Sequence, residues 1–402
     1  MNTRRPLLRL FPILLLNITG FAISIPVLPA LAYALGGGAV DVGLLYATQA
    51  FGQFIMAPGW GALSDRFGRK HILMCTFGAA AIMELSTAFV PSLGLLFLAR
   101  FLVGLCAGNV ATATALIADA TDASTRSKGM AIVGISFGVG FTLGPAIGAG
   151  VSLLTQPGAG ILGAGLPFAV SAALSLITLV LAAAFLIEPV QDADERRKTR
   201  LATRPNSIMA QLRVAPIFIM CALFFLYTVA ITVMEGTFFV YMADIYGYDA
   251  AHVGMIFAAM GLLMALFQGG VGWASRTFGD RTMTAAGLAL LAVGLGLAPI
   301  TGKLAVLLIF LAIATIGRAF VHPGILSMTS SLAIHRQETG RIMGILQSAS
   351  SLGRVIGPAL GGLIFVYVSP AAPFWFAGIL LASAGLWWWT ATRVYFPRVV
   401  KA

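Results

Sequence analysis

Six ionisable side chains stand inside long apolar runs: Glu84, Glu235, Arg100, Arg318, His322 and Arg354. A charge in hydrocarbon costs about 2.5–3.5 kcal/mol on insertion scales, so each is a functional candidate by default. Their chemistry would be proton binding and charge pairing. Glu84 and Glu235 are the only acids within these runs. Glu84 and Arg100 fall at similar depth, in the outer third of their helices by residue count, and so can form an ion pair. That pair would be either structural or proton-coupling. Arg318 and His322 are one helical turn apart and share a face. Arg354 can counter-charge Glu235 or a bound anion. For His322, Gln49, Gln53, Gln268 and Gln347, a helix–helix hydrogen bond is the simpler role.

The elements that must position these groups are membrane helices. The chain of 402 residues is 59% hydrophobic and 10% charged, with mean hydropathy +0.95. Soluble domains carry about 25% charged residues, and runs of about 20 apolar residues span a bilayer as helices. Twelve spans are expected, at roughly 7–35, 43–63, 72–90, 93–117, 129–151, 161–187, 214–243, 253–274, 282–299, 304–329, 342–367 and 371–392. The N-terminal Arg4, Arg5 and Arg9 precede an apolar run without a cleavage-like site, which reads as the first span rather than a signal peptide.

The chain repeats itself. Gly61-Ala-Leu-Ser-Asp65-Arg66-Phe-Gly68-Arg69-Lys70 is a charged turn after span 2, and Gly272-Trp-Ala-Ser-Arg276-Thr-Phe-Gly279-Asp280-Arg281 answers it 211 residues later. Gly43 falls on Gly254 at the same offset, and Gly144-Pro145-Ala-Ile-Gly148 on Gly357-Pro358-Ala-Leu-Gly361. The expectation is an all-α membrane protein of two pseudo-symmetric six-helix bundles, 1–187 and 214–402, joined by a charged linker at 188–213.

Basic residues set the orientation. With both termini cytoplasmic, Lys303 is the only Lys or Arg in an outer turn, three arginines lie within spans, and the others all fall on the cytoplasmic side. The net charge of +11 therefore reflects topology and does not imply nucleic acid. The cysteines Cys75, Cys106 and Cys221 lie in apolar runs without ligand spacing, so neither a metal nor a disulfide framework is expected. No nucleotide-binding motif is present, which argues against an ATP-driven pump, and no cofactor is expected.

Twelve spans in two halves, a long linker and the Gly-x-Leu-x-Asp-Arg-x-Gly-Arg-Lys turn resemble the major facilitator superfamily. Leu116-Ile-Ala-Asp119-Ala-Thr-Asp-Ala-Ser-Thr-Arg126, Gly138-Val-Gly140-Phe-Thr-Leu-Gly144-Pro145 and Ile25-Pro26-Val-Leu-Pro29 are similar to tetracycline/proton antiporters and related drug exporters. The resemblance implies a turn of Gly61, Asp65, Arg66, Gly68, Arg69 and Lys70 that gates the halves, with Asp119 as the acidic partner of Arg69. A simple topology anchor is the alternative. Gly140, Gly144, Pro145 and Gly148, with Gly357, Pro358 and Gly361, would form flat faces for close packing. They suit either the interface where the halves rock or ordinary helix packing. Arg100-Phe-Leu-Val-Gly104 matches the family's Arg-x-x-x-Gly motif, whose arginine is linked to proton coupling.

In this fold Glu235 lies on a cavity-lining helix, as do Asn17, Phe21, Asn109, Thr112, Phe238, Arg318, His322 and Arg354. The proton-coupling candidates are Glu235, Glu84 and Arg100. One departure matters: where the tetracycline group carries an acid in span 1, this chain has Asn17 in Leu16-Asn17-Ile-Thr-Gly20, and span 9 has no acid. The implied activity is proton-coupled antiport, exporting a lipophilic or amphipathic small molecule by alternating access, from a monomer in the bacterial inner membrane. The alternatives are export of a specific metabolite, siderophore or lipid, or a non-transporting scaffold or sensor on the same fold.

Overall fold

The computed structural model describes residues 4–107, 112, 116, 126–154, 160–186, 188, 214–332 and 336–395. Among these are twelve helices: α1 (Arg4–Ala34), α2 (Ala39–Phe67), α3 (Arg69–Ala88), α4 (Leu93–Cys106), α5 (Arg126–Leu154), α6 (Gly160–Phe185), α7 (Ala215–Tyr246), α8 (Ala250–Gln268), α9 (Val271–Leu297), α10 (Leu304–Ser331), α11 (Arg336–Tyr367) and α12 (Ala372–Tyr395). Nine described helices are long and apolar enough to cross a membrane, and two shorter apolar stretches are Leu93–Cys106 and Gly138–Leu154. The chain is an integral membrane protein of two pseudo-symmetric six-helix bundles. Residues 189–213, most of the expected linker, lie outside the described residues, as do Asn109 and Asp119.

The expected turn between spans 8 and 9 falls where the sequence puts it, at Gly279, and a further interruption after Gln268 divides span 8. Helix α8 stops at Gln268, before Gly269-Gly270, and α9 begins at Val271 rather than near residue 282. The sharp turn sits inside α9, at Gly279 with φ 76 and ψ 150. Its counterpart Gly68, between α2 and α3, has φ 97 and ψ 149. Only glycine adopts this backbone without strain, so the repeat preserves a conformation as well as a sequence. Between α7 and α8, Asp249 caps α8 by accepting from the His252 N–H at 3.0 Å. Burial works to raise the Asp249 carboxyl, but these hydrogen bonds and the His252 ring at 2.7 Å hold it below its ordinary range.

Within the first half α1 packs on α5 and α6, α2 on α4, and α3 on α6; within the second, α7 packs on α11 and α12, and α9 on α10 and α12. The halves meet along α2–α11 and α5–α8. A Cβ on Gly43 would overlap the Pro358 carbonyl, and one on Gly254 would lie 2.9 Å from the Pro145 carbonyl. Each half thus sets a repeat-matched glycine against the Gly-Pro helix of the other.

The motif glycines themselves face the other way. Gly140, Gly144 and Gly148 pack on α1 at Ile18, Thr19, Ala22 and Ile23, while Gly353, Gly357 and Gly361 pack on α7 at Thr228, Thr232 and Val233. Their four-residue spacing makes one stripe, and that stripe fastens each helix inside its own half. The contact between the halves uses the neighbouring face, which carries Pro145 or Pro358.

Candidate functional site

Helix α7 is apolar all round and almost wholly buried, the pattern of a helix surrounded by other helices. Tyr227 to Met234 and Gly236 to Met242 are buried, and Glu235 alone interrupts that run. It lies eleven residues before the helix end at Tyr246, about 16 Å along the axis at about 1.5 Å per residue. The span boundaries had put it only about eight residues from the end. Glu235 accepts from Arg318 Nη1 of α10 at 2.5 Å, and the two side chains are 25% and 31% exposed. Glu235 thus gives an otherwise buried stretch of α7 one accessible polar point, shared with Arg318. The Tyr227 hydroxyl stands within electrostatic reach of both Arg318 and Glu235.

His322, one turn beyond Arg318, is likewise exposed, with its ring 5.5 Å from that of Phe224. Arg354 of α11 is within electrostatic reach of Glu235 and His322. Its hydrogen bonds go to Ser350 Oγ at 3.1 Å and Ser351 Oγ at 2.9 Å rather than to a carboxylate. Ser350 in turn touches Thr228 of α7 at 3.1 Å. From the first half, Phe21 is 44% exposed and pairs with Phe141 at 6.3 Å. Asn17 and Thr112 are buried. Phe238 is 2% exposed and packed edge-on against Phe257, so it lies in the wall rather than on the surface.

The second charged pair is of another kind. Arg100 donates to Glu84 at 3.0 Å and to Thr87 at 2.7 Å, stacks over Phe168 at 5.1 Å, and is fully buried. It joins α3, α4 and α6 within one half. Arg100 Nε and Nη1 have no hydrogen-bond partner among the described residues. Tyr46 of α2 stands within electrostatic reach of both Arg100 and Glu235, and its hydroxyl donates to the Ile25 carbonyl of α1. No sequence signal singled out Tyr46, because a tyrosine in an apolar run looks like any other aromatic.

At the α2–α3 turn, Glu188 accepts from the backbone N–H groups of Arg69 at 2.6 Å and Lys70 at 2.7 Å. Lys70 Nζ donates to the Ala183 carbonyl of α6 at 2.9 Å, and Arg69 bonds Ser64. Glu188 had read as the start of the linker; it is a carboxylate on the N-terminus of α3, where the helix dipole favours one. The backbone places Asp65 in the last turn of α2, Arg66 is exposed beside Phe67, and Gly61 lies one turn before Asp65. On the α1–α2 face, Tyr33 of α1 and Phe239 of α7 meet at 6.3 Å across the halves, and Gly362 lies against Ala39 and Val40. Among the described residues, no group of His, Cys, Asp and Glu could hold a metal ion.

The model of the Major Facilitator Superfamily matches residues 10–250 and 235–401. The chain is 30% identical over 379 residues to the class B tetracycline resistance protein of Escherichia coli, covering 90% of this chain and 89% of that one. It is 29% identical to the class C protein of the same organism, over 95% of each chain. The crystal structure of the human organic anion transporter MFSD10 (TETRAN) superposes with a TM-score of 0.72 at 23% identity, covering 96% of this chain and 100% of that one. The twelve helices in two halves and the charged turns therefore have a single source: the chain belongs to the major facilitator superfamily and is a membrane transporter of small molecules, not an enzyme.

Proposed function

We propose that the protein is a proton-coupled antiporter exporting a lipophilic or amphipathic small molecule, acting as a monomer in a bacterial inner membrane with both termini cytoplasmic. The observation that carries this is the partly exposed Glu235–Arg318 pair, an ionisable group in the outer part of α7 that we read as facing a cavity between the halves. Contacts at Gly43, Gly254, Gly362 and Tyr33 join the halves on the α1–α2 face, which supports access from the α2–α3 face, cytoplasmic in the proposed topology. While Glu235 is ionised, its pair ties α7 to α10. Protonation removes the charge attraction and frees Arg318. The relatives named for tetracycline resistance support export, although Asn17 replaces the group's span-1 acid and moves the titratable role to α7.

A second reading is export of a specific anionic metabolite. It is favoured by Arg354, a guanidinium held by serines that leaves one cavity positive charge unmatched beside the Glu235–Arg318 pair. The organic anion transporter named above fits this reading. Proteoliposomes loaded with buffers of different pH separate the possibilities. A lipophilic fluorescent dye should accumulate only when the lumen is acid. Uptake indifferent to the gradient contradicts proton coupling, and gradient-driven uptake of an organic anion without dye transport selects the second reading.

A further inference from the structure

The two halves neutralise their matched turns differently. In the first half, Lys70 reaches the Ala183 carbonyl near the end of α6, and Glu188 supplies an anion at the start of α3. In the second half, Arg281 occupies the Lys70 position and donates to the Trp389 carbonyl near the end of α12 at 2.9 Å. Where Glu188 would follow, the described chain brings a second cation, Arg393. Both guanidiniums face one indole: Arg281 lies 4.0 Å and Arg393 5.4 Å from the Trp389 ring centroid. Neither has a carboxylate within ion-pairing distance among the described residues. Arg281 Nε is buried and unpartnered there as well. The adjacent Asp280 is turned to Ser275, at 2.5 Å, and Ser327. Around Gly68 a Cβ would meet the Glu188 carboxylate at 2.8 Å, whereas around Gly279 nothing lies within 4 Å.

Two like charges beside open space at the end of a membrane helix call for an external anion. The surface below them says which kind. Leu386 and Ile379 follow Arg393 back along α12 at seven-residue intervals, on one face, and are 71% and 68% exposed. Apolar surface continuous with a basic pair and an indole at the helix end suits a lipid, with chains along α12 and phosphate at the arginines. We infer that Arg281, Arg393 and Trp389 form a binding site for the headgroup of an anionic phospholipid, which does for the second half what Glu188 does for the first. The site is independent of the cavity and of the substrate.

Native mass spectrometry of the purified full chain, titrated with phosphatidylglycerol or phosphatidylcholine, tests this. Phosphatidylglycerol adducts should persist and phosphatidylcholine adducts should not. Arg393→Gln, at an exposed position, should lower phosphatidylglycerol retention roughly fivefold, and Arg281→Gln with Arg393→Gln should abolish it. Lys70→Gln, in the half that carries its own anion, should change nothing. Equal retention by wild type and the Arg393 variant, or equal binding of the two lipids, overturns the site. Displacement of phosphatidylglycerol by millimolar inorganic phosphate would assign the arginines to a free anion and overturn the lipid.

Discussion

At the scale of single residues, the two intramembrane ion pairs divide the work by exposure. Arg100 and Glu84 are sealed inside the first half, where removing one partner strands the other in low dielectric. Glu84→Gln should therefore destabilise the protein by about 3–5 kcal/mol, the usual consequence of breaking a buried pair. Thermal unfolding in detergent checks this. A variant as stable as wild type would mean that Thr87 and Phe168 suffice to hold Arg100. Glu235 and Arg318 are only partly buried, so they can exchange partners at less cost. Sequence could place all four in apolar runs and pair Glu84 with Arg100 by depth. It could offer Arg354 as a counter-charge for Glu235 but not choose its partner, because depth alone does not give the rotation of α10 and α11 about their axes. The structure gives the carboxylate to Arg318 and leaves Arg354 to Ser350 and Ser351.

At the scale of elements, the repeat announced which helices matter but not which faces they use. The offset that matched Gly43 with Gly254 and Pro145 with Pro358 was plain in the text. That Gly43 meets Pro358, and Gly254 meets Pro145, depends on how the halves stand together. The same limit explains the motif glycines, whose flat stripe turned out to serve α1 and α7 within each half. Glu188 was missed for a related reason: a carboxylate at the edge of a charged segment has no local mark showing that a turn more than a hundred residues earlier binds it. Gly43→Ala should force α2 from α11, and such overpacking costs about 1–3 kcal/mol. The expected result is a shift toward the conformation open at the α1–α2 face. Spin-label distances between the α1–α2 and α7–α8 turns should lengthen. Unchanged distances would show that this contact does not hold the face closed.

For the whole molecule, the number of helices and the halves were legible because each span needs about 20 apolar residues and the bilayer allows few alternatives. The proposed sidedness rests on the basic residues. Cysteine labels placed near Lys198 and at each end of the chain should be protected from an impermeant reagent in whole cells, and Lys303→Cys should react. Labelling in the reverse pattern would turn the transporter around. Proton coupling, as proposed, places the proton on Glu235, and Glu235→Gln keeps the shape of the side chain while removing its charge. Wild type and variant are to be compared in proteoliposomes, once with an imposed pH gradient and once by exchange of the same dye without a gradient. The variant should lose gradient-driven accumulation and retain exchange. Equal gradient-driven accumulation by the two proteins would contradict it.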